Sequence, residues 1–241
     1  MSKVRKSVST RLCLILGLVL ASQLAWAQNK HGSSYAEWAE AWWTWTLETP
    51  VLLPSNSHPI LDDGNVDCSI GQDGHVWFLT GKNVPGEEAR RSCSVPTGTA
   101  LFFPLFNYLY LNYATDPTLT PEFCADFTDY VVGSLGKVTI TALLDGKPLK
   151  KNAVQFEESE IFSVQMPEPT ATETNLMAYA GETEDHFVDW VASANCDFGW
   201  YGYVEPLSVG HHILQWKVES EGWGMVLQDV RYELTVRQRN R

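Results

Sequence analysis

No local motif in this chain announces a reaction. It has no Gly-x-Ser-x-Gly elbow, no His-Glu-x-x-His pair and no Cys-x-x-Cys unit, which removes the signatures of a serine hydrolase, a zinc protease and a compact zinc site. Positive charge is scarce: 17 Lys and Arg stand against 29 Asp and Glu. That balance argues against nucleic acid and anionic lipid as partners, since both need a positive face. Long apolar runs are missing too. The run at residues 12–21 is ten residues long, too short to span a bilayer.

The flanks of that short run give it a meaning. Lys3, Arg5, Lys6 and Arg11 precede or open it, and Ala25-Trp26-Ala27 follows with small residues where a signal peptidase cuts, so residues 1–27 read as a secretory signal. Cys13 lies inside the apolar run, not just after it where a lipoprotein cysteine would sit. The expected mature chain, residues 28–241, is therefore exported, periplasmic or extracellular, and keeps no membrane anchor. Cleavage removes four basic residues and no acidic one, leaving 13 bases against 29 acids. No repeat or linker divides the remainder, which reads as one secreted domain. Four cysteines remain in it: Cys68, Cys93, Cys124 and Cys196. An even number in an oxidising compartment predicts two disulfides. Of the three possible pairings, Cys68 with Cys93 and Cys124 with Cys196 is favoured, because the first pair flanks an apparent hairpin region.

The local patterns predict a mainly β fold with two helices. Ser34-Tyr35-Ala36-Glu37 is a capping box, and 100° steps from there gather Tyr35, Trp38, Trp42 and Trp45 on a broad arc opposite Glu37, Glu40, Thr44 and Glu48. Pro50 limits this helix. Thr120-Pro121-Glu122 opens a second one through Phe123, Phe127 and Val131, closed by Gly133 or Gly136. Residues 54–75 are loop-like; Asp62-Asp63-Gly64-Asn65-Val66-Asp67 crowds carboxylates as calcium loops do, but lacks the glycine and glutamate register of an EF-hand. Short apolar runs at 76–79 and 100–103 read as buried strands, the second weakened by Pro104. Residues 137–144 alternate and then turn at Asp145-Gly146, residues 161–166 form another strand, and strands from Gly210 and over 229–236 close the chain. With no βαβ rhythm, the expected architecture is an antiparallel β-sandwich, immunoglobulin-like or jelly-roll-like, clasped by an N-terminal amphipathic helix.

The segments Tyr35-Ala-Glu-Trp-Ala-Glu-Ala-Trp-Trp-Thr-Trp45, Val76-Trp-Phe-Leu-Thr-Gly81, Cys93-Ser-Val-Pro-Thr-Gly-Thr-Ala-Leu-Phe-Phe-Pro-Leu-Phe-Asn107 and Pro206-Leu-Ser-Val-Gly-His-His-Ile-Leu-Gln-Trp216 resemble, in the same order, a family of uncharacterised bacterial secreted proteins known as signal-peptide proteins. The chain departs from that pattern at Val209-Gly210, where the family has Pro-Gly, and at His75, where it often has proline. The resemblance implies no reaction and transfers no catalytic residue.

Site candidates come from the residues alone. His211 and His212 are adjacent in a strand, so they point to opposite faces and cannot chelate one ion; no metal site or cofactor is expected. His212 falls on the Leu214 and Trp216 face, as a buried imidazole or as a base helped by Asp197 or a carboxylate of the 182–185 segment. Trp200, Tyr201 and Tyr203 form an aromatic stretch, and rings beside carboxylates are how sugars are held. The sequence-level expectation is a non-catalytic secreted binding protein, with glycan as ligand and Trp200, Tyr201, Tyr203, His212 and Asp197 around it. The alternatives are a glycan hydrolase using two carboxylates and an envelope assembly factor with a protein partner.

Overall fold

The computed structural model of the protein describes residues 33–238. The expected signal segment at 1–27, with Cys13, and His31 lie outside the described residues. Along the chain come α1 (Tyr35–Glu48), the two-residue strands β1 (Val51–Leu52) and β2 (Gly64–Asn65), then β3 (Val76–Phe78), β4 (Glu88–Pro96) and β5 (Ala100–Tyr110). They are followed by α2 (Pro121–Leu135), β6 (Val138–Leu144), β7 (Lys147–Pro148), β8 (Val154–Glu158), β9 (Phe162–Gln165), β10 (Glu173–Thr174) and α3 (Leu176–Tyr179). Three long strands finish it: β11 (Val191–Val204), β12 (Gly210–Ser220) and β13 (Met225–Arg237).

The molecule is mainly β, and two sheets hold most of it. One has the order β3-β5-β11-β8 with β9 also on β11; the other runs β2-β4-β13-β12-β6-β7. Most pairings are antiparallel, but β4 lies parallel to β13 and to β2, and β3 lies parallel to β5. The purely antiparallel expectation is corrected here. The chain leaves one sheet at Phe78 and enters the other at Glu88, so β3 and β4 are not hairpin partners although they are neighbours in sequence.

Alternation along β5 and β11 sets the layers. Leu101 and Phe103 face the six-stranded sheet and meet Trp216, Leu214 and Val230 in one core, with the Phe103 and Trp216 rings stacked 4.8 Å apart. Phe102, Tyr201 and Tyr203 face the other way into a second core with Tyr35, Trp42 and Trp45. The helix α1 thus covers one face of the first sheet and the second sheet covers the other. Its capping box is closed in both directions, Ser34 Oγ accepting from the Glu37 amide while Glu37 accepts from the Ser34 amide.

Pro104 does not end its strand. It sits opposite Tyr201, and the register then skips Leu105 so that Phe106 opposes Trp200. This is a β-bulge, a place where a strand tolerates a residue with no N–H. The bulge turns Leu105 and Phe106 both toward the six-stranded sheet. Two disulfides, Cys68–Cys93 and Cys124–Cys196, tie the scaffold, as an oxidising environment permits. The pairing is the expected one, though its reason is different: Cys68–Cys93 fastens the 54–75 loop to β4, not the two arms of a hairpin.

Candidate functional site

Beyond Phe102 no strand among the described residues pairs with β5 on the β3 side. A cleft of about 520 Å³ opens there. One wall is α1, through Trp42, Trp43 and Leu47; the other is the loop from Gly81 to Pro85 together with Trp223 of the β12–β13 turn; the floor is β5 from Pro104 to Leu109.

The loop wall is held by a buried cation. Arg91 on β4 has no exposed side-chain surface, and its guanidinium donates to the carbonyls of Thr80, Gly81, Ile60 and Asp62 and to the Tyr232 hydroxyl. Gln228 completes the clamp, accepting from the Lys82 amide at 2.9 Å and donating to the Lys82 carbonyl at 2.7 Å. These groups fix the loop from inside the core, where a lost partner is expensive. Sequence reading missed Arg91, because a single arginine in an alternating strand carries no local mark of burial.

Behind the floor lies a buried carboxyl. Asp197 Oδ1 accepts from Trp43 Nε1 and Oδ2 from the Tyr201 hydroxyl, both at 2.5 Å, while Asn107 Nδ2 donates to the same hydroxyl at 3.2 Å. Trp43 and Asn107 line the cleft, so the carboxyl is one bond removed from it. Burial pushes the Asp197 pKa up to about 7, against the pull of its two donors. Tyr201 is pushed well above its ordinary value by burial and then by the neighbouring carboxylate.

The residues expected to form a sugar platform are dispersed. Trp200 faces opposite to Tyr201 and Tyr203 because strand neighbours alternate. Tyr201 and Tyr203 are buried under α1, and Trp200 is half-buried against Phe156 and Phe106. They do not share an open surface. His212 is also elsewhere. Its Nδ1 lies 2.8 Å from Asp145 Oδ2 and its Nε2 lies 2.9 Å from the Ser208 carbonyl. The hydrogen bond to Asp145 raises its pKa. Asp197 is not its partner, and Glu182 instead meets His186 at 2.5 Å.

The aspartate-rich run is also split. Asp62 accepts from Ser57 and the His58 amide, Asp63 pairs with Lys82, and Asp67 accepts from the Ser69 hydroxyl and amide. Each carboxylate serves a turn or a clamp. Among the described residues no three His, Cys, Asp or Glu side chains gather as a metal site would require, and no helix is long and apolar enough to cross a membrane.

No family model matches the chain, and no curated protein matches it by sequence. Among solved structures it is similar to the cysteine protease inhibitor EhICP2 from Entamoeba histolytica, at 12% identity and a TM-score of 0.25, over 67% of this chain and 96% of that one. A superposition that loose carries no argument about function.

Proposed function

We propose that this is an exported binding protein whose ligand lies in the cleft along β5. The observation that carries the reading is the coincidence, in one enclosure of about 520 Å³, of aromatic walls with the unpaired side of a strand. Concave, mostly apolar sites with a few fixed polar groups are where proteins take ligands, and Asn107 and Lys82 supply such groups here. The two disulfides and the expected signal segment support a working place outside the cytoplasm, periplasmic or extracellular. The facing sheets support a β-sandwich of immunoglobulin or jelly-roll type as the scaffold, and the ordered motifs support kinship with the secreted signal-peptide proteins.

Glycan stays as a second reading, moved from Trp200, Tyr201 and Tyr203 to the cleft. It is favoured by Tyr108, whose ring lines the cleft and is 39% exposed. The test is a panel of glycans and displayed peptides presented to the mature protein, with Tyr108→Ala and, as a control outside the cleft lining, the exposed Tyr130→Ala. Binding that falls at least tenfold in Tyr108→Ala and is unchanged in Tyr130→Ala supports the cleft. Binding indifferent to Tyr108→Ala puts the ligand elsewhere and defeats the reading.

A further inference from the structure

We infer that the cleft takes an extended polypeptide segment, which adds to the free edge of β5 as a further antiparallel or parallel strand. The inference rests on the cleft being the binding site and names its occupant.

Backbone direction carries the argument. The Ala100 amide donates to the His75 carbonyl and the Leu79 amide donates to the Phe102 carbonyl, so before the bulge the even residues of β5 turn their peptide groups toward β3 and away from β11. On β11, the Asp197 carbonyl accepts from the Ser159 amide, so its odd residues face β8 and its even residues face β5. Phe198 opposes Tyr108 and Trp200 opposes Phe106. After the bulge Phe106 and Tyr108 therefore spend their peptide groups on β11. Asn107 and Leu109 point theirs outward, into the cleft.

The outward row is thus the Pro104 carbonyl and both groups of Asn107 and Leu109. Among the described residues none of these backbone groups has a partner outside β5 on that side. Protein interiors and grooves seldom leave such a row unmatched. A sugar ring offers hydroxyls at irregular spacing; an extended chain offers N–H and C=O alternately at the strand repeat of about 3.3 Å per residue. The walls fit that occupant as well. Trp43 and Leu47 stand on one side of the edge and Trp223 on the other, so alternate side chains of an added strand would each meet apolar surface.

Charge selects the composition of the segment. Residues 28–241 carry 13 bases against 29 acids, and α2, whose Phe127 ring packs on Tyr108 of the cleft floor, exposes Glu122, Asp126 and Asp129. The partner is an extended segment with alternating apolar residues and flanking Lys or Arg.

The experiment pans a displayed random dodecapeptide library on the intact, disulfide-bonded protein, then measures amide hydrogen exchange with and without a selected synthetic peptide. The inference expects selected peptides rich in Lys or Arg, binding lowered at least tenfold by Tyr108→Ala, and exchange at Asn107 and Leu109 slowed at least tenfold by peptide while Phe106 and Tyr108 amides stay as they were. An analogue N-methylated at alternate residues should lose binding in one phase of methylation and keep it in the other. Panning that yields no binder, or a binder that protects neither Asn107 nor Leu109, overturns the strand inference. If a glycan binds and is lost in Tyr108→Ala, the inference fails while the cleft stands. If every ligand found is indifferent to Tyr108→Ala, both fall.

Discussion

Arg91 and Asp197 show how much of this fold depends on single buried polar groups. Arg91 satisfies several backbone carbonyls from within the core, and Arg91→Met would leave them without that donor. Removing one side of a buried charged network costs about 3 to 5 kcal/mol; chemical denaturation of the variant should show a loss of that order, and a loss below about 1 kcal/mol would contradict the clamp. Asp197 has the opposite problem, a charge that burial discourages. Its pKa is raised to about 7 in the fold from 3.8, so the folded state holds a proton that the unfolded state gives up over that interval. The stability linked to it is complete below about pH 4 and is lost as pH rises through 7, by at most about 4 kcal/mol. Asp197→Asn should flatten that slope in a pH series of denaturant midpoints, and an unchanged slope would contradict the assignment. Neither residue was legible as such in the sequence. Asp197 stood out as a helper for His212 and as one of the residues around a sugar, not as a buried carboxyl, whereas the turn residue Asp145 holds that imidazole and also accepts from the Ile213 amide at 2.8 Å.

Among the elements, those with terminal chemistry or clean alternation were the readable ones, the latter including β6, β12 and β13. Ser34 and Glu37 mark the start of α1, and Thr120 with Pro121 mark the start of α2, where Thr120 accepts from the Phe123 amide. Gly136 ends α2 at φ 61°, a left-handed value that glycine adopts without strain. The strand β11 was not readable, and the reason is physical. From Asn195 to Val204 all but half-buried Trp200 are buried, so alternation of apolar and polar residues, the signal by which strands are found, is absent. Its glycines hide it further, although Gly202 is required: a Cβ there would lie 2.6 Å from the Phe103 ring. The two disulfides offer an element-level test. Cys124–Cys196 closes 72 residues and Cys68–Cys93 closes 25, which on the chain-entropy model gives about 4.4 and about 3.5 kcal/mol. Replacing the first pair with serines should therefore lower the melting temperature more than replacing the second, and the reverse order would show that native packing, not loop length, governs.

For the whole molecule, burial raises Glu40 and Glu157, burial raises Asp197, and the hydrogen bond to Asp145 raises His212. Burial lowers His58, and hydrogen bonds lower Glu122 and, against burial, Asp145, but of these only His58 opposes the raised groups between pH 5 and 8. Each raised pKa gives stability that is present at low pH and lost as pH climbs through the folded value. The excess of 29 acids over 13 bases in residues 28–241 adds self-repulsion in the same direction. The melting temperature should accordingly be higher at pH 5 than at pH 8, with calorimetry at fixed ionic strength as the check; a maximum at pH 8 would contradict the account. The layering itself was partly legible. A mainly β scaffold with a tryptophan helix followed from turn residues, caps and periodicity, while the parallel placement of β4 beside β13 could not be read, because pairing between distant strands leaves no local pattern. The cleft was hidden for the same reason, being made where β3 stops short of the strand it accompanies.

That free strand edge can be tested without any ligand, by residue-resolved amide exchange of the unliganded protein under native conditions. Protection should alternate along β5, with Asn107 and Leu109 exchanging on the order of 100-fold faster than Phe106 and Tyr108. Uniform protection across these four amides would mean that the edge is already covered, and the binding account would be wrong.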